Sequence, residues 1–191
     1  MEINSLFLES SKKQFLYYKT LGEKAIEQLE PEQLFISLNE DTNSIGTIIK
    51  HMAGNMVSRW TDFLTTDGEK EWRKRDAEFD NDIHDKTELL VVWEKGWNCL
   101  FDALNSLKTE QLSEIIYIRN EGHAVIDAVN RQLAHYPYHV GQIVFYAKLL
   151  KKGNWESLSI PKNKSASYNS GKFSKEKSIK NFTDDELKKL K

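Results

Sequence analysis

Five histidines occur in the 191 residues, and two of them stand four apart in His135-Tyr136-Pro137-Tyr138-His139. On a helix, residues at that spacing leave the same face one turn apart, so both imidazoles can reach one divalent metal ion. His51 has a comparable setting, at the head of the polar series His51, Asn55, Arg59 and Asp62 beside the apolar Ile48, Met52 and Met56. A third imidazole from a second helix completes the open arrangement that catalytic zinc sites share. Neutral imidazoles add no charge, so the ion keeps its full positive charge and at least one position for water or substrate. There it lowers the pKa of bound water to about 7, or holds a thiol as its thiolate. His84, in a polar loop, and His123, beside Gly122, read as surface residues.

Other side chains share these faces. At helical steps, His135, His139, Gln142 and Tyr146 line up beside the apolar Tyr136, Val140, Ile143 and Ala147, at the edge of the core-facing side. Polar groups at a seam between helices are costly unless they meet partners or a ligand. Asn55 and Gln142 are therefore either partners that orient imidazoles or polar groups of the seam. Arg59 either receives an anionic group of a substrate or pairs with Asp62 or an acid of the following loop. Pro137, between the paired histidines, removes one backbone hydrogen bond and is expected to kink the helix, leaving a carbonyl near residue 133 without its usual donor. Cys99 falls at the edge of an apolar stripe and reads as a buried, inert thiol. There is no Ser/His/Asp pairing, phosphate-cradling glycine loop or CxxC to suggest another chemistry.

The elements that hold these residues read as helices. The first runs over residues 3–29, with Ile3, Phe7, Gln14, Tyr18, Leu21 and Ala25 along one stripe, and Pro31 ends it. Asn43 or Ser44 caps a second helix reaching residue 64, whose apolar residues from Ile45 through Met52 and Trp60 to Phe63 follow the i, i+3, i+4 rule. Residues 65–85 are polar, with a turn at Asp67-Gly68; Trp72 stands in this loop, which is placed to act as a lid over the metal site. A third helix spans residues 86–107 on Leu89, Trp93, Gly96, Trp97, Leu100 and Leu104. The β-branched run 115–118 and the stretch 120–126 are either a small hairpin or an extended connection. The last long helix starts at residue 125 or 126 and reaches 150 or 151, with Gly153 as its stop. Four long helices, each with one core stripe, define an all-α four-helix bundle over residues 1–161.

Residues 162–191 form a polar tail. Nine lysines against four acids give it a charge of +5, so the rest of the chain carries −7. It is expected to be solvated and flexible, with one short helix started by the capping box Thr183-Asp184-Asp185-Glu186. The overall charge of −2 gives no reason to expect nucleic acid or a membrane surface as partner. A single cysteine excludes an internal disulfide, and no apolar run approaches the roughly 18 residues of a membrane span. The opening residues lack the pattern of a signal peptide, so a cytoplasmic location is expected.

Two stretches carry a resemblance. Residues 48–55, Ile-Ile-Lys-His-Met-Ala-Gly-Asn, and residues 131–143, which hold both paired histidines, resemble the two metal-binding motifs of the DinB/YfiT-like superfamily. Residues 58–76 and 155–161 resemble one uncharacterised subfamily of it, and the similarity covers about residues 1–168. The resemblance implies an up-down-down-up bundle, commonly a homodimer, with the metal on His51, His135 and His139. Characterised members of that superfamily include transferases and isomerases that use low-molecular-weight thiols such as bacillithiol or mycothiol, and a metal-dependent transferase activating such a thiol is the activity expected here. A metal-dependent hydrolase of a small substrate and a non-catalytic, metal-stabilised binding or dimerisation module are the alternatives. Imidazole ligands suit zinc or nickel first, with iron or manganese also admissible.

Overall fold

The structure, a computed structural model, describes residues 2–80 and 82–190. It is mostly helical. Four long helices, α1 (Ile3–Glu27), α2 (Ile45–Trp60), α3 (Lys86–Ser106) and α4 (Val125–Lys151), enclose one hydrophobic core. A two-stranded antiparallel hairpin, β1 (Ile115–Ile118) and β2 (Glu121–Ala124), leads directly into α4, and two shorter helices, α5 (Ser165–Phe173) and α6 (Phe182–Leu190), follow. Among the described residues no helix is long and apolar enough to cross a membrane.

Individual contacts give the helix directions. Phe15 packs on Tyr136, and further along both helices Lys151 Nζ donates to Gln28 O, so α1 and α4 run the same way. Gly96 abuts Ala53, and Cys99 lies beside Thr61, so α2 and α3 also run the same way. By contrast, α2 and α4 run in opposite directions, His51 facing His139 while Trp60 Nε1 donates to Tyr136 Oη at 3.1 Å. Lys19 pairs with Glu94 at 2.7 Å while Lys86 reaches Leu29 O, which sets α1 against α3 in the same opposed sense.

The apolar stripes of α2 and α3 are the expected ones. That of α1 is rotated. Its buried residues are Leu8, Ser11, Phe15, Gly22, Ala25 and Ile26, whereas Ile3 is 81% exposed and Gln14 is half-buried. The tilt follows from Trp93 of α3, whose indole fills the space over Gly22 and draws that face inward. Ser44 caps α2, accepting from Thr47 N at 3.1 Å. That helix stops at Trp60 rather than at residue 64. Ser58 Oγ donates to Gly68 O and accepts from Lys70 N, folding the loop back along the last turn, and Asp62 takes a left-handed backbone with φ 47°.

Residues 115–124 form the hairpin, closed by Arg119 and Asn120, both at positive φ as a type I′ turn requires. The Asp67 carboxylate accepts the N–H groups of Arg119, Asn120 and Glu69, so the hairpin holds the α2–α3 loop in place. In the tail two helices form where one was expected. α6 lies on α1, with Thr183 buried, Phe182 against Tyr17, and Asp184 paired with Lys13 at 3.0 Å. The cap of α6 is Asn181, whose Oδ1 accepts both the N–H and the hydroxyl of Thr183.

A Cβ at Gly96 would stand 2.7 Å from Ala53 Cα. Alanine is ordinarily the better helix former, but here the obstacle is backbone. Gly96→Ala is expected to lower stability by about 1–3 kcal/mol, the usual cost of overpacking, measured by urea unfolding of the full chain.

Candidate metal centre

The three histidines converge. One nitrogen from each of His51, His135 and His139 lies within 4.8 Å of the others. His51 enters from α2 and the other two from α4, which remains helical through Pro137. His135 Nε2 and His139 Nε2 are 3.1 Å apart. A tetrahedral ion bonded at about 2.0–2.1 Å would hold its nitrogens roughly 3.3 Å apart. The α4 pair is therefore already at ligating distance, and His51 has to close by about 1.5 Å at most.

Each imidazole is held from behind by an oxygen. His51 Nδ1 meets Glu78 Oε2 at 3.0 Å, His135 Nδ1 meets Gln132 Oε1 at 3.1 Å, and His139 Nδ1 meets Gln142 Oε1 at 2.7 Å. A carboxylate offers no proton, so Glu78 requires the His51 proton on Nδ1; the two glutamine oxygens ask the same of the other rings. All three Nε2 atoms then present lone pairs to one point. Two lone pairs facing each other at 3.1 Å repel unless a cation lies between them. Burial first, and then the neighbouring His139, His51, Arg131 and Arg59, push His135 down from 6.5 to about 4. Burial also lowers His139, against the opposing hydrogen bond to Gln142. These rings are neutral at ordinary pH, as ligands must be. The donor set fits a divalent metal ion.

Glu78, which the sequence does not single out, joins the candidate site through its contact with His51. It sits in the α2–α3 loop, in a single 3₁₀ turn spanning Asp76–Phe79, buried against α2. Burial alone would raise its pKa, but the hydrogen bonds from His51 and Arg73 outweigh that and hold it below the usual carboxylate value. Arg73 grips both its oxygens, Nε to Oε1 at 2.7 Å and Nη2 to Oε2 at 2.9 Å, and also reaches Glu69. Gly54 makes room for this: a Cβ there would stand 2.2 Å from Glu78 Oε1. Phe79 covers the other side of His51, ring centroids 5.2 Å apart. The loop does lie over the centre, but it is fastened there by Lys50, which donates to Ala77 O and Asp80 O. Trp72 is 57% exposed and faces away, over Gly54 and Val57.

The remaining candidates divide. Gln142 orients His139. Asn55 does not touch an imidazole; its Oδ1 accepts from Tyr136 Oη at 3.1 Å. Arg59 is buried, and no ion pair joins it to Asp62, which is exposed beyond the end of α2. Cys99 is half-buried beside Thr61. His84 is exposed, but His123 is half-buried with its Nε2 lacking a partner among the described residues.

A mostly helical protein with three histidines gathered across two helices is thus the class that fold and site define. Its family follows from comparison with known sequences: the chain belongs to the family described as Protein of unknown function (DUF1572), whose model matches residues 2–164. No curated protein and no solved structure matches the chain. The matched span holds every residue of the centre and ends where α5 begins.

The second contacts should tune affinity. Glu78→Ala and Gly54→Ala are each expected to weaken zinc binding about ten- to a hundredfold, read by competition with a chromophoric chelator, with helix content unchanged. Acid should act on the metal-free protein through His135. Between pH 6.5 and about 4 the unfolded chain carries the proton that the folded chain refuses, so stability is full above that window and falls as pH drops through it. A melting temperature that declines over this range in the wild type, and less in His135→Gln, is the expected result.

Proposed function

We propose that the protein is a divalent-metal-dependent enzyme whose ion, held on His51, His135 and His139, activates a nucleophile for a small substrate. The observation that carries this reading is the convergence of one nitrogen from each of three imidazoles within 4.8 Å, each ring with an oxygen acceptor against its Nδ1. A bound ion would supply Lewis acidity and lower the pKa of a coordinated water or thiol. Three protein ligands leave a position for that group. The chain's own residues orient the rings, keep His135 and His139 neutral by burial, and shelter one side of His51 under Phe79.

The helix directions described above support an up-down-down-up four-helix bundle of the DinB/YfiT-like kind. With that superfamily comes the thiol-transferase reading, in which a low-molecular-weight thiol is the nucleophile. Metal-dependent hydrolysis is the second reading, favoured by the same open position. A homodimer fits the exposed apolar side chains of α4, Tyr138, Phe145 and Leu149, the last two lining a groove with the exposed Leu38. Phe145→Glu is expected to convert a dimer into a monomer in light scattering.

Elemental analysis of protein purified without a metal-affinity tag decides the centre. About one equivalent of metal in the wild type, lost in His135→Ala, His139→Ala, is expected; no metal in either would overturn the proposal. In a cobalt-loaded sample, a shift of the ligand-field bands on adding thiol favours the transferase. Turnover of an activated ester without thiol favours the hydrolase.

A further inference from the structure

Beside the metal centre is a second feature that the three histidines do not account for. A cleft of about 250 Å³ opens between α2, α4 and the α2–α3 loop, and two of its wall residues, His51 and His135, are candidate ligands. Apart from Asn55 and Gln132, the rest of the wall is cationic, with Arg59, Arg73, Arg75, Arg119 and Arg131 all lining it. Counting about 30 Å³ for each water, the space takes a molecule of about eight waters' volume, too small for a polymer.

Charge is not balanced there. Glu78 and Glu69 are taken by His51, Arg73 and Arg119, and Arg75 pairs loosely with Asp76 at 3.8 Å. Arg59 and Arg131 have no carboxylate within pairing distance among the described residues. Arg131 is exposed at the rim. Arg59 is 4% exposed, and its Nε and Nη1 are buried with no hydrogen-bond acceptor among the described residues. Removing a guanidinium from water without a counter-charge costs several kcal/mol, and a structural role would come with an acid to offset it. Arg59 stands two turns along α2 from His51, about 12 Å, and Arg131 one turn along α4 from His135, about 6 Å, at 1.5 Å per residue. The antiparallel seam brings the two arginines to the same end of the cleft, with the imidazoles at the other.

We infer that this cleft binds the anionic head of the substrate, a compact phosphate or carboxylate group held by Arg59 and Arg131, and thereby directs the remainder of a small organic anion toward the three-histidine centre. The planar guanidinium suits both oxyanions, each of which accepts paired N–H donors. The direction of the reacting end rests on the metal-centre reading; the anion site itself does not.

Isothermal titration of the full chain with inorganic phosphate, and separately with succinate, tests this at constant ionic strength, with and without one equivalent of zinc. Saturable binding of at least one anion is expected, weakened tenfold or more in Arg59→Met and in Arg131→Gln while zinc content stays the same. Phosphate alone would mark a phosphate-bearing substrate, succinate alone a carboxylic acid, and both a general small-anion site. Should Arg59→Met fail to fold by circular dichroism, Arg131→Gln decides. Binding that persists in His135→Ala, His139→Ala supports the anion site even if that protein and the wild type prove metal-free. No saturable binding of either anion to metal-free or zinc-loaded wild type overturns it, as does an affinity unchanged by the arginine substitutions.

Discussion

Three imidazoles crowded within 4.8 Å present an electrostatic problem whose solution organises the rest of the molecule. Each ring has to be neutral, and each has to turn its lone pair inward. Burial meets the first demand at His135 and His139, and one oxygen acceptor behind every Nδ1 meets the second. For the two α4 histidines the acceptor comes from the same helix, three residues before His135 and three after His139, so the helix itself provides the register. For His51 it comes from a distant carboxylate. The α2–α3 loop, the hairpin that fastens it and the glycine that admits it serve that one contact.

The loop is therefore a structural part of the centre. Asp67 ties it to the hairpin, Ser58 to the end of α2, and Lys50 to the turn that carries Glu78. Arg73 then links Glu78 to Glu69, and Glu69 to Arg119 of the hairpin. This chain of alternating charges keeps a buried carboxylate ionised next to an imidazole, a state that burial alone would oppose. It also commits Arg73 to its acids, which leaves Arg59 and Arg131 as the cations without a partner at the neighbouring cleft.

Tyr136 holds the seam on which both sites stand. Fully buried between the paired histidines in sequence, it donates to Asn55 and accepts from Trp60, bonding two positions of α2 at once. Those bonds fix α4 against α2 over the interval from His51 to Arg59. The three-histidine cluster and the unpaired Arg59 and Arg131 then stand at opposite ends of one hydrogen-bonded seam, whose spacing is set by the core.

Much of this was legible in the sequence. Periodicity alone delimits α3 and α4 closely and places the start of α2, because their apolar residues repeat without interruption, and His135 and His139 share a face at helical spacing. His51 is identified by its place on the edge of a strongly patterned stripe. Other features depended on tertiary structure. The buried face of α1 was misplaced because its stripe is weakly apolar, and Gly22, which carries no hydrophobic signal, is where Trp93 packs. α2 ends early because a loop residue, Gly68, bonds to Ser58 across ten positions. Glu78 lay hidden in a run of mixed charges, where nothing local separates a buried carboxylate from a solvated one. The two readings of Arg59 turned on the end of α2: with Asp62 out in solvent, the ion-pair alternative has no geometry in which to form. Local patterns determined which residues face inward along each helix. Only the packed chain decided which charges meet, because that depends on contacts between segments that the sequence holds far apart.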